Sequence, residues 1–192
     1  HTIRNVFGTP LKTGIWIDST TDIGRLTNVD FGPQWWGRSR LPGAPAPGAT
    51  SEALSAFLMR EGTAIDMGRS DWEYLYEVRA SGYAVGYRVH AGKLGTTNAV
   101  MFCCELTGCG TALRLDALNG VGLAVTGGRL SGREHGVHAP ASFRTEAQFH
   151  GCSLEGSEGS AVLLEGGGTL TFQDCDLDGW RGAAERDAAH AR

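Results

Sequence analysis

A segment of eight residues recurs along the chain at nearly constant spacing. It begins with an apolar residue, has a small or turn-forming residue in third place, and carries a second apolar residue two places before a closing glycine. MFCCELTG (101–108) and FQDCDLDG (172–179) are two examples. A fixed period is typical of solenoids, in which each repeat buries its apolar face against the next. The second apolar position recurs at intervals of 24, 24 and 23 residues: Leu106, Leu130, Leu154 and Leu177.

A second segment lies between these repeats and keeps the same period. Its apolar positions Ile65, Val89, Leu113 and Val137 are separated by 24 residues each. Apolar and polar residues alternate within both segments, which favours strands over helices. We therefore predict an all-β fold, a parallel β-helix of about seven coils of ~24 residues, in one domain covering residues 1–192. A β-sandwich is the alternative, but its strands would not hold one interval over four cycles.

Each coil is predicted to contain three short strands. The first strand lies in segments such as GIWID (14–18) and TALRL (111–115), and the second begins the repeated eight-residue segment. A tight turn then separates the second strand from the third. Asparagine and aspartate suit such a turn because they tolerate left-handed backbone and form local hydrogen bonds. The predicted turn positions are Asn28, Cys103, Gly127, Gly151 and Asp174.

Residues 33–62 interrupt the period. Their first half is rich in proline and glycine and predicts a loop, whereas SEALSAFLMREG (51–62) predicts a short helix. Ser51 can cap this helix, and Gly62 can end it. We expect this insertion between a third strand and the next first strand to lie beside the first-strand sheet. The final segment, RGAAERDAAHAR (181–192), predicts either a helical cap or a truncated tail.

Charge and apolar content exclude two classes of protein. The net charge is −4 and the isoelectric point is about 5.9, which argues against nucleic-acid binding because that usually needs a basic face. No apolar run approaches the ~18 residues of a transmembrane helix, so no membrane span is predicted. The chain begins with His1 rather than Met, which indicates processing, a tag or cropping, and both ends are open to truncation.

The five cysteines are an odd number, so at least one cannot pair within the chain. Cys104, Cys152 and Cys175 share one inward position in their coils. We predict that these three are buried and mostly reduced, forming a ladder in which cysteine acts as a small apolar residue. Only Cys152 and Cys175 lie on adjacent coils.

The signature FQDCDLDG and the run GRSDWEYLYEVRASGYAVGY (68–87) resemble the pectate-lyase-like superfamily of right-handed, single-stranded parallel β-helices, which includes bacterial proteins related to polygalacturonases. The resemblance covers nearly the whole chain. It implies a right-handed β-helix, a polysaccharide substrate, a secreted or extracellular location and a cleft on the first-strand sheet. The Asn-Thr-Asp, Asp-Asp, Gly-His-Gly and Arg-Ile-Lys motifs of polygalacturonases are missing. Ser19 stands where pectate lyases carry a histidine, so the catalytic residues of neither family transfer.

One row of residues on the first strands is the main candidate site. Strand side chains alternate, so the residue after each inward apolar position points outwards. This gives Asp66, His90, Arg114 and His138, in a line about 14 Å tall at ~4.8 Å per coil. In this hypothesis arginine binds substrate carboxylates or hydroxyls, a histidine transfers the proton, and Asp66 orients it or acts as acid or base. A solvated strand face is the alternative.

Five further residues are candidates for substrate binding. Arg88 and Asp116 flank the row, and Trp16 extends it at its lower end. Trp35 and Trp36, in the insertion, either stack on sugar rings or pack the insertion against the coils. No zinc-type spacing of cysteine and histidine occurs, so no metal site and no cofactor are predicted. Calcium is compatible with the chain, but no motif indicates it.

The sequence therefore predicts a polysaccharide-cleaving enzyme, a lyase or a glycoside hydrolase, that acts on an extracellular, uronate-containing polysaccharide. The alternative is a non-catalytic β-helix module for binding, adhesion or structure, which the lack of a complete catalytic motif favours. The polysaccharide is the expected partner, and a homo-oligomer is compatible with the sequence.

Overall fold

The computed structural model describes residues 1–46, 49 and 51–178 and forms a parallel β-solenoid of about seven turns. The predicted parallel β-helix is confirmed. The predicted cap or tail at 181–192 lies outside the described residues. The strands are β1 (Thr2–Gly8), β2 (Thr13–Ile17), β3 (Gly24–Phe31), β4 (Thr63–Met67), β5 (Glu73–Ser81), β6 (Val85–Val89), β7 (Ala99–Phe102), β8 (Glu105–Leu115), β9 (Leu123–Thr126), β10 (Arg129–Ala139), β11 (Glu146–His150), β12 (Ser153–Gly156), β13 (Ser160–Leu164), β14 (Thr169–Gln173) and β15 (Asp176–Asp178); the helices are α1 (Gln34–Arg38) and α2 (Glu52–Glu61).

The coils stack into three parallel sheets. The first-strand sheet contains β2, β4, β6, the second halves of β8 and β10, and β13. The second-strand sheet runs from the start of β1 through β3, β5, β7, β9 and β11 to β14. The third-strand sheet runs from the end of β1 through β3, β5, β8, β10 and β12 to β15.

The turn between the second and third strands is left-handed in every coil. The five predicted turn residues all have positive φ, from 50° at Cys103 to 62° at Gly127. Two further coils place Asn5 (φ 58°) and Glu77 (φ 50°) at the same turn. Side-chain contact also links successive turns, since the Asn28 amide donates to Asn5 Oδ1 at 2.9 Å.

The inward side chains of all three sheets form one continuous core. Tyr83, Tyr87 and Phe149 are among its largest fully buried members, and Phe149 stacks on Phe172 at 4.9 Å between ring centroids. The dense stacking explains why the coils cannot exist singly, because each buries its apolar face only against its neighbours.

The cysteine ladder is present, with one difference from the prediction. Cys104 and Cys152 are buried, whereas Cys175 in the last described coil is only half-buried. All three thiols are free, and the Cys152 amide donates to Cys175 Sγ at 3.4 Å. Burial raises the pKa of Cys104 to about 11, which keeps it a thiol at neutral pH.

The predicted register of the first strands is wrong at one coil. Ile65 pairs with Tyr87, and Tyr87 pairs with Leu113, so Val89 lies two residues further along its strand than expected. The equivalent positions are therefore 22 and then 26 residues apart, which add up to the 48 expected from two regular coils. The extra length lies in the turn after β6, residues 90–98, which is longer than the turn of residues 68–72 after β4.

The insertion forms two helices rather than one. The predicted helix is confirmed as α2, whose N-terminal Ser51 side chain accepts a hydrogen bond from the Leu54 amide and whose end is capped by Gly62. The first half, predicted as loop, contains the short helix α1. Helix α2 lies against the corner where third strands become first strands, since the Ala84 amide donates to the Leu58 carbonyl at 2.9 Å.

Candidate functional site

The outer face of the first-strand sheet carries a vertical row of side chains, here called the lane. Backbone pairing places Trp16 beside Asp66, Asp66 beside Arg88, and Arg88 beside Arg114. His138 pairs with Arg114 on the next rung, as predicted. The lane therefore brings together three of the four predicted catalytic residues and two of the predicted binding residues.

His90 is not in the lane, and Arg88 takes the place predicted for it. His90 directly follows β6, and its Nε2 lies 3.1 Å from Asp66 Oδ1 on the rung below, without the alignment of a hydrogen bond. Its Nδ1 is 2.9 Å from the Ala91 carbonyl oxygen. A proton on Nδ1 satisfies that carbonyl and leaves Nε2 facing the carboxylate, where a second proton would complete an ion pair.

Asp116 connects the two arginines of the lane. Its two carboxylate oxygens accept hydrogen bonds from Arg88 Nε at 2.7 Å and from Arg114 Nε at 2.8 Å. The Asp116 side chain is 14% exposed, whereas the arginines are 40% and 36% exposed. One carboxylate thus orients two guanidinium groups on adjacent rungs, about 4.8 Å apart in strand spacing, and one positive charge remains in excess.

The upper end of the lane contains two residues that the sequence did not indicate. Glu165 Oε2 lies 2.9 Å from His138 Nε2, and the ring of His135 lies 5.2 Å from that of His138. His135 Nδ1 is also 3.1 Å from Ser160 Oγ. Burial lowers the pKa of His135, and the neighbouring His138 lowers it further.

Strict alternation hid His135 from sequence reasoning. Gly136 and Val137 are both buried, so the strand bends at its start and leaves His135 and His138 on the same outer side. The same order of two consecutive buried residues occurs in β4 and β6. REHGVHAP (133–140) contained the signal, two histidines three residues apart, but only the bend makes them neighbours.

The aromatic candidates separate into two groups. Trp16 lies at the lower end of the lane and is 68% exposed, so its ring is accessible. Trp35 instead packs on Phe7 at 5.1 Å between ring centroids, and Phe7 belongs to the third-strand sheet. Trp36 lies next to it in α1. The predicted placement of Trp35 and Trp36 beside the lane is therefore wrong, because α1 covers the third-strand sheet.

Helix α2 borders an open cleft of about 710 Å³. The cleft lies at the corner between third and first strands, and its lining contains no residue of the lane. The expectation that the insertion walls the lane is thus not met by this cleft. The lining residues are Pro33, Glu52, Ser55, Ala56, Met59, Arg60, Gly82, Gly108 and Arg133.

Two searches of the described residues gave negative results. No cluster of three or more histidine, cysteine, aspartate or glutamate side chains is arranged to hold a metal ion within residues 1–46, 49 and 51–178. In the same part of the chain no helix has the length and apolar character needed to cross a membrane.

Comparison with protein-family models, with curated proteins and with solved structures gave no match to this chain. The parallel β-solenoid is compatible with the β-helix superfamily that the sequence resembles. The function must therefore be argued from the lane itself.

Proposed function

We propose that this protein binds and cleaves an acidic, uronate-containing polysaccharide outside the cell, with the chain lying along the lane. The parallel β-helix is a fold common among carbohydrate-active enzymes, and membership in the pectate-lyase-like superfamily is part of this proposal. The observation that carries it is the pair of guanidinium groups on adjacent rungs, Arg88 and Arg114, both oriented by Asp116.

The two arginines are arranged to bind anions. Each uses its Nε to donate to Asp116, which leaves the two terminal nitrogens of each guanidinium free to form paired hydrogen bonds with a carboxylate. Because Asp116 holds them, less side-chain entropy is lost when a ligand binds. The accessible ring of Trp16 two rungs below Arg88 offers an apolar surface for a sugar ring.

The neighbouring groups support β-elimination. A guanidinium that neutralises the uronate carboxylate acidifies the adjacent C–H. His138 Nε2 is bonded to Glu165, which leaves Nδ1 of the neutral ring as the nitrogen that accepts this proton. The electron pair of the C–H bond forms the new carbon–carbon double bond, the glycosidic C–O bond breaks, and the leaving oxygen takes a proton from solvent or from an acid such as protonated His90.

Hydrolysis is the second chemical route. It needs two carboxyl groups about 5–9.5 Å apart. Asp66 and Asp116 belong to rungs two apart, roughly 10 Å in strand spacing. Asp116 is also held between two arginines, which favours its ionised form and makes it a poor acid. Elimination therefore fits the lane better than hydrolysis.

A non-catalytic binding module is the alternative, and one observation favours it. The ionisable side chains of the lane already pair with one another: Asp66 with His90, both arginines with Asp116, and His138 with Glu165. A solvated face stabilised by such pairs needs no reaction. The two functions differ in outcome, because a module binds the polysaccharide without shortening it.

A panel of acidic and neutral polysaccharides tests the proposal. An elimination product carries an unsaturated uronate that absorbs in the ultraviolet, whereas hydrolysis produces reducing ends without that absorbance. We expect ultraviolet-absorbing product from an acidic substrate without added cofactor, and a chelator reveals any need for calcium. Binding without product would support the module, and neither binding nor product on any acidic polysaccharide would refute both.

Variants separate the two roles. His138→Ala is expected to lower kcat by 10²–10⁴-fold, the usual range for a general base, while binding is kept. Arg114→Gln is expected to weaken both binding and cleavage. Arg129→Gln is the matched control, because Arg129 is an equally exposed arginine on the third-strand sheet. If Arg129→Gln lowers activity as much as Arg114→Gln, the lane is not the site.

A further inference from the structure

The outer face of the second-strand sheet is a flat surface, here called the aromatic face, that the proposed function does not use. Two rows of outward side chains form it, each following the backbone pairing from β1 to β14. One row contains Thr2, Arg25, Tyr74, Val100, Ala124, Gln148 and Thr171; the other contains Arg4, Thr27, Tyr76, Phe102, Thr126, His150 and Gln173.

Aromatic side chains occupy the middle of this face. Tyr76 stacks on Phe102 at 4.9 Å between centroids and 16° between planes, although Tyr76 is 43% exposed. Tyr74 lies beside Tyr76 on the same strand, where the intervening Leu75 is buried. Trp72 directly precedes the strand, is 45% exposed and has a φ of 56°, an uncommon conformation for so bulky a residue.

The permanent charges of the two rows are all positive. Arg25 pairs with Tyr74 on the next rung, and Arg4 lies one rung below in the other row. Both arginines are exposed, and within the described part of the chain neither forms an ion pair. Neither row contains an aspartate or glutamate, and the nearest acid along β5, Glu77, lies at the turn that ends the face.

We propose that the aromatic face is a second binding surface for the polysaccharide, which holds a part of the chain away from the lane. The ring faces of Tyr76 and Phe102 offer an apolar platform for the C–H face of a sugar ring. Arg4 and Arg25 bind the carboxylates of sugars one and two rungs away, within about 14 Å in strand spacing. The ligand class rests on the proposed function, whereas the location of this surface does not.

Two other occupants fit the face less well. Seven rungs of four-residue strands measure roughly 29 Å by 13 Å, or about 400 Å², while a stable dimer usually buries about 800 Å² on each partner. Single-stranded nucleic acid also stacks on aromatic rings, but it needs a basic groove. The net charge of this chain is −4.

The test measures binding of the whole chain to polygalacturonate and to its methyl-esterified, uncharged form. All variants carry Arg88→Gln and Arg114→Gln, which remove the arginines of the lane. We expect residual binding to polygalacturonate, and Tyr76→Ala should weaken it by about three- to tenfold, the value of one aromatic stack. Tyr76→Phe keeps the ring and should bind as the parent does. Adding Arg4→Gln and Arg25→Gln should abolish the preference for the charged form.

The outcomes distinguish this inference from the proposed function. If the lane binds nothing, Arg88→Gln and Arg114→Gln change no affinity, yet Tyr76→Ala still weakens binding and the aromatic face stands. Equal binding by Tyr76→Ala and Tyr76→Phe overturns the inference. So does tighter binding of an oligo-dT strand than of polygalacturonate, or a dimer that Tyr76→Ala dissociates.

Discussion

Replacing Asp116 by asparagine tests whether one carboxylate holds the lane together. The change keeps the size of the side chain but removes its charge and one of the two acceptor oxygens. Arg88 and Arg114 then lie on adjacent rungs with no anion between them. We expect Asp116→Asn to lower the free energy of unfolding and to loosen both guanidinium groups.

The expected magnitude follows from exposure. A hydrogen bond to a charged group contributes about 1.5–3 kcal/mol when buried. Both arginines here are more than a third exposed, so water replaces much of what they lose, and exposed ion pairs contribute only about 0–1 kcal/mol each. Repulsion between two charges ~4.8 Å apart adds about 1 kcal/mol in water. The net cost should be about 1–2 kcal/mol, or a fall in Tm of about 2–8 °C.

Urea titration of the variant at low and high salt provides the measurement. Since screening weakens both attraction and repulsion, the cost should be smaller at 1 M salt, where the Debye length is about 3 Å. Glu105→Gln is the matched control, because its single ion pair with Arg79 is longer, 3.6 Å, and both side chains are more exposed. An Asp116→Asn cost within about 0.3 kcal/mol of the Glu105→Gln cost would refute the argument that Asp116 organises the lane.

Three further predictions concern other parts of the coils. Burial raises the pKa of Glu73 to about 7 from 4.5, so the folded protein keeps a proton that the unfolded chain releases, and stability should fall as pH rises between these values; Glu73→Gln should remove on the order of 2 kcal/mol of that fall in urea titrations at pH 5 and pH 7. Exposed Cys103 should react with a thiol reagent well before buried Cys104 and Cys109, unless the coils open quickly, and quantifying label at each cysteine measures the order. Glu77→Asn, at a φ of 50°, should stabilise the fold by about 0.5 kcal/mol in thermal melts, since asparagine tolerates this conformation better; destabilisation would contradict the assigned turn.

Local features of the coils could be predicted because the required backbone limits the residues that fit. A turn with positive φ disfavours most side chains, so Asn28, Gly127 and Asp174 indicated their own conformation. The apolar period indicated the solenoid for a similar reason, since inward positions must be apolar in every coil. The Ser51 cap identified the start of α2.

Features that depend on the contact of distant segments could not be predicted in the same way. The register at β6 depends on where the chain spends its turn residues, and coils of 22 and 26 give the same total as two coils of 24. The spacing of Asp66, His90 and Arg114 therefore looked regular. Similarly, nothing in the sequence of the insertion shows that Trp35 finds Phe7 rather than Trp16.

The altered register makes the lane a better anion site than the regular one would have been. With strict 24-residue coils, a histidine would separate Asp66 from Arg114, and Arg88 would lie outside the row. The long turn after β6 moves His90 past the end of the strand, where it faces Asp66, and brings Arg88 directly beside Arg114. Two guanidinium groups one rung apart can share one carboxylate or bind two successive ones, and a single arginine can do neither. The irregular coil thus creates the feature on which the proposed function depends.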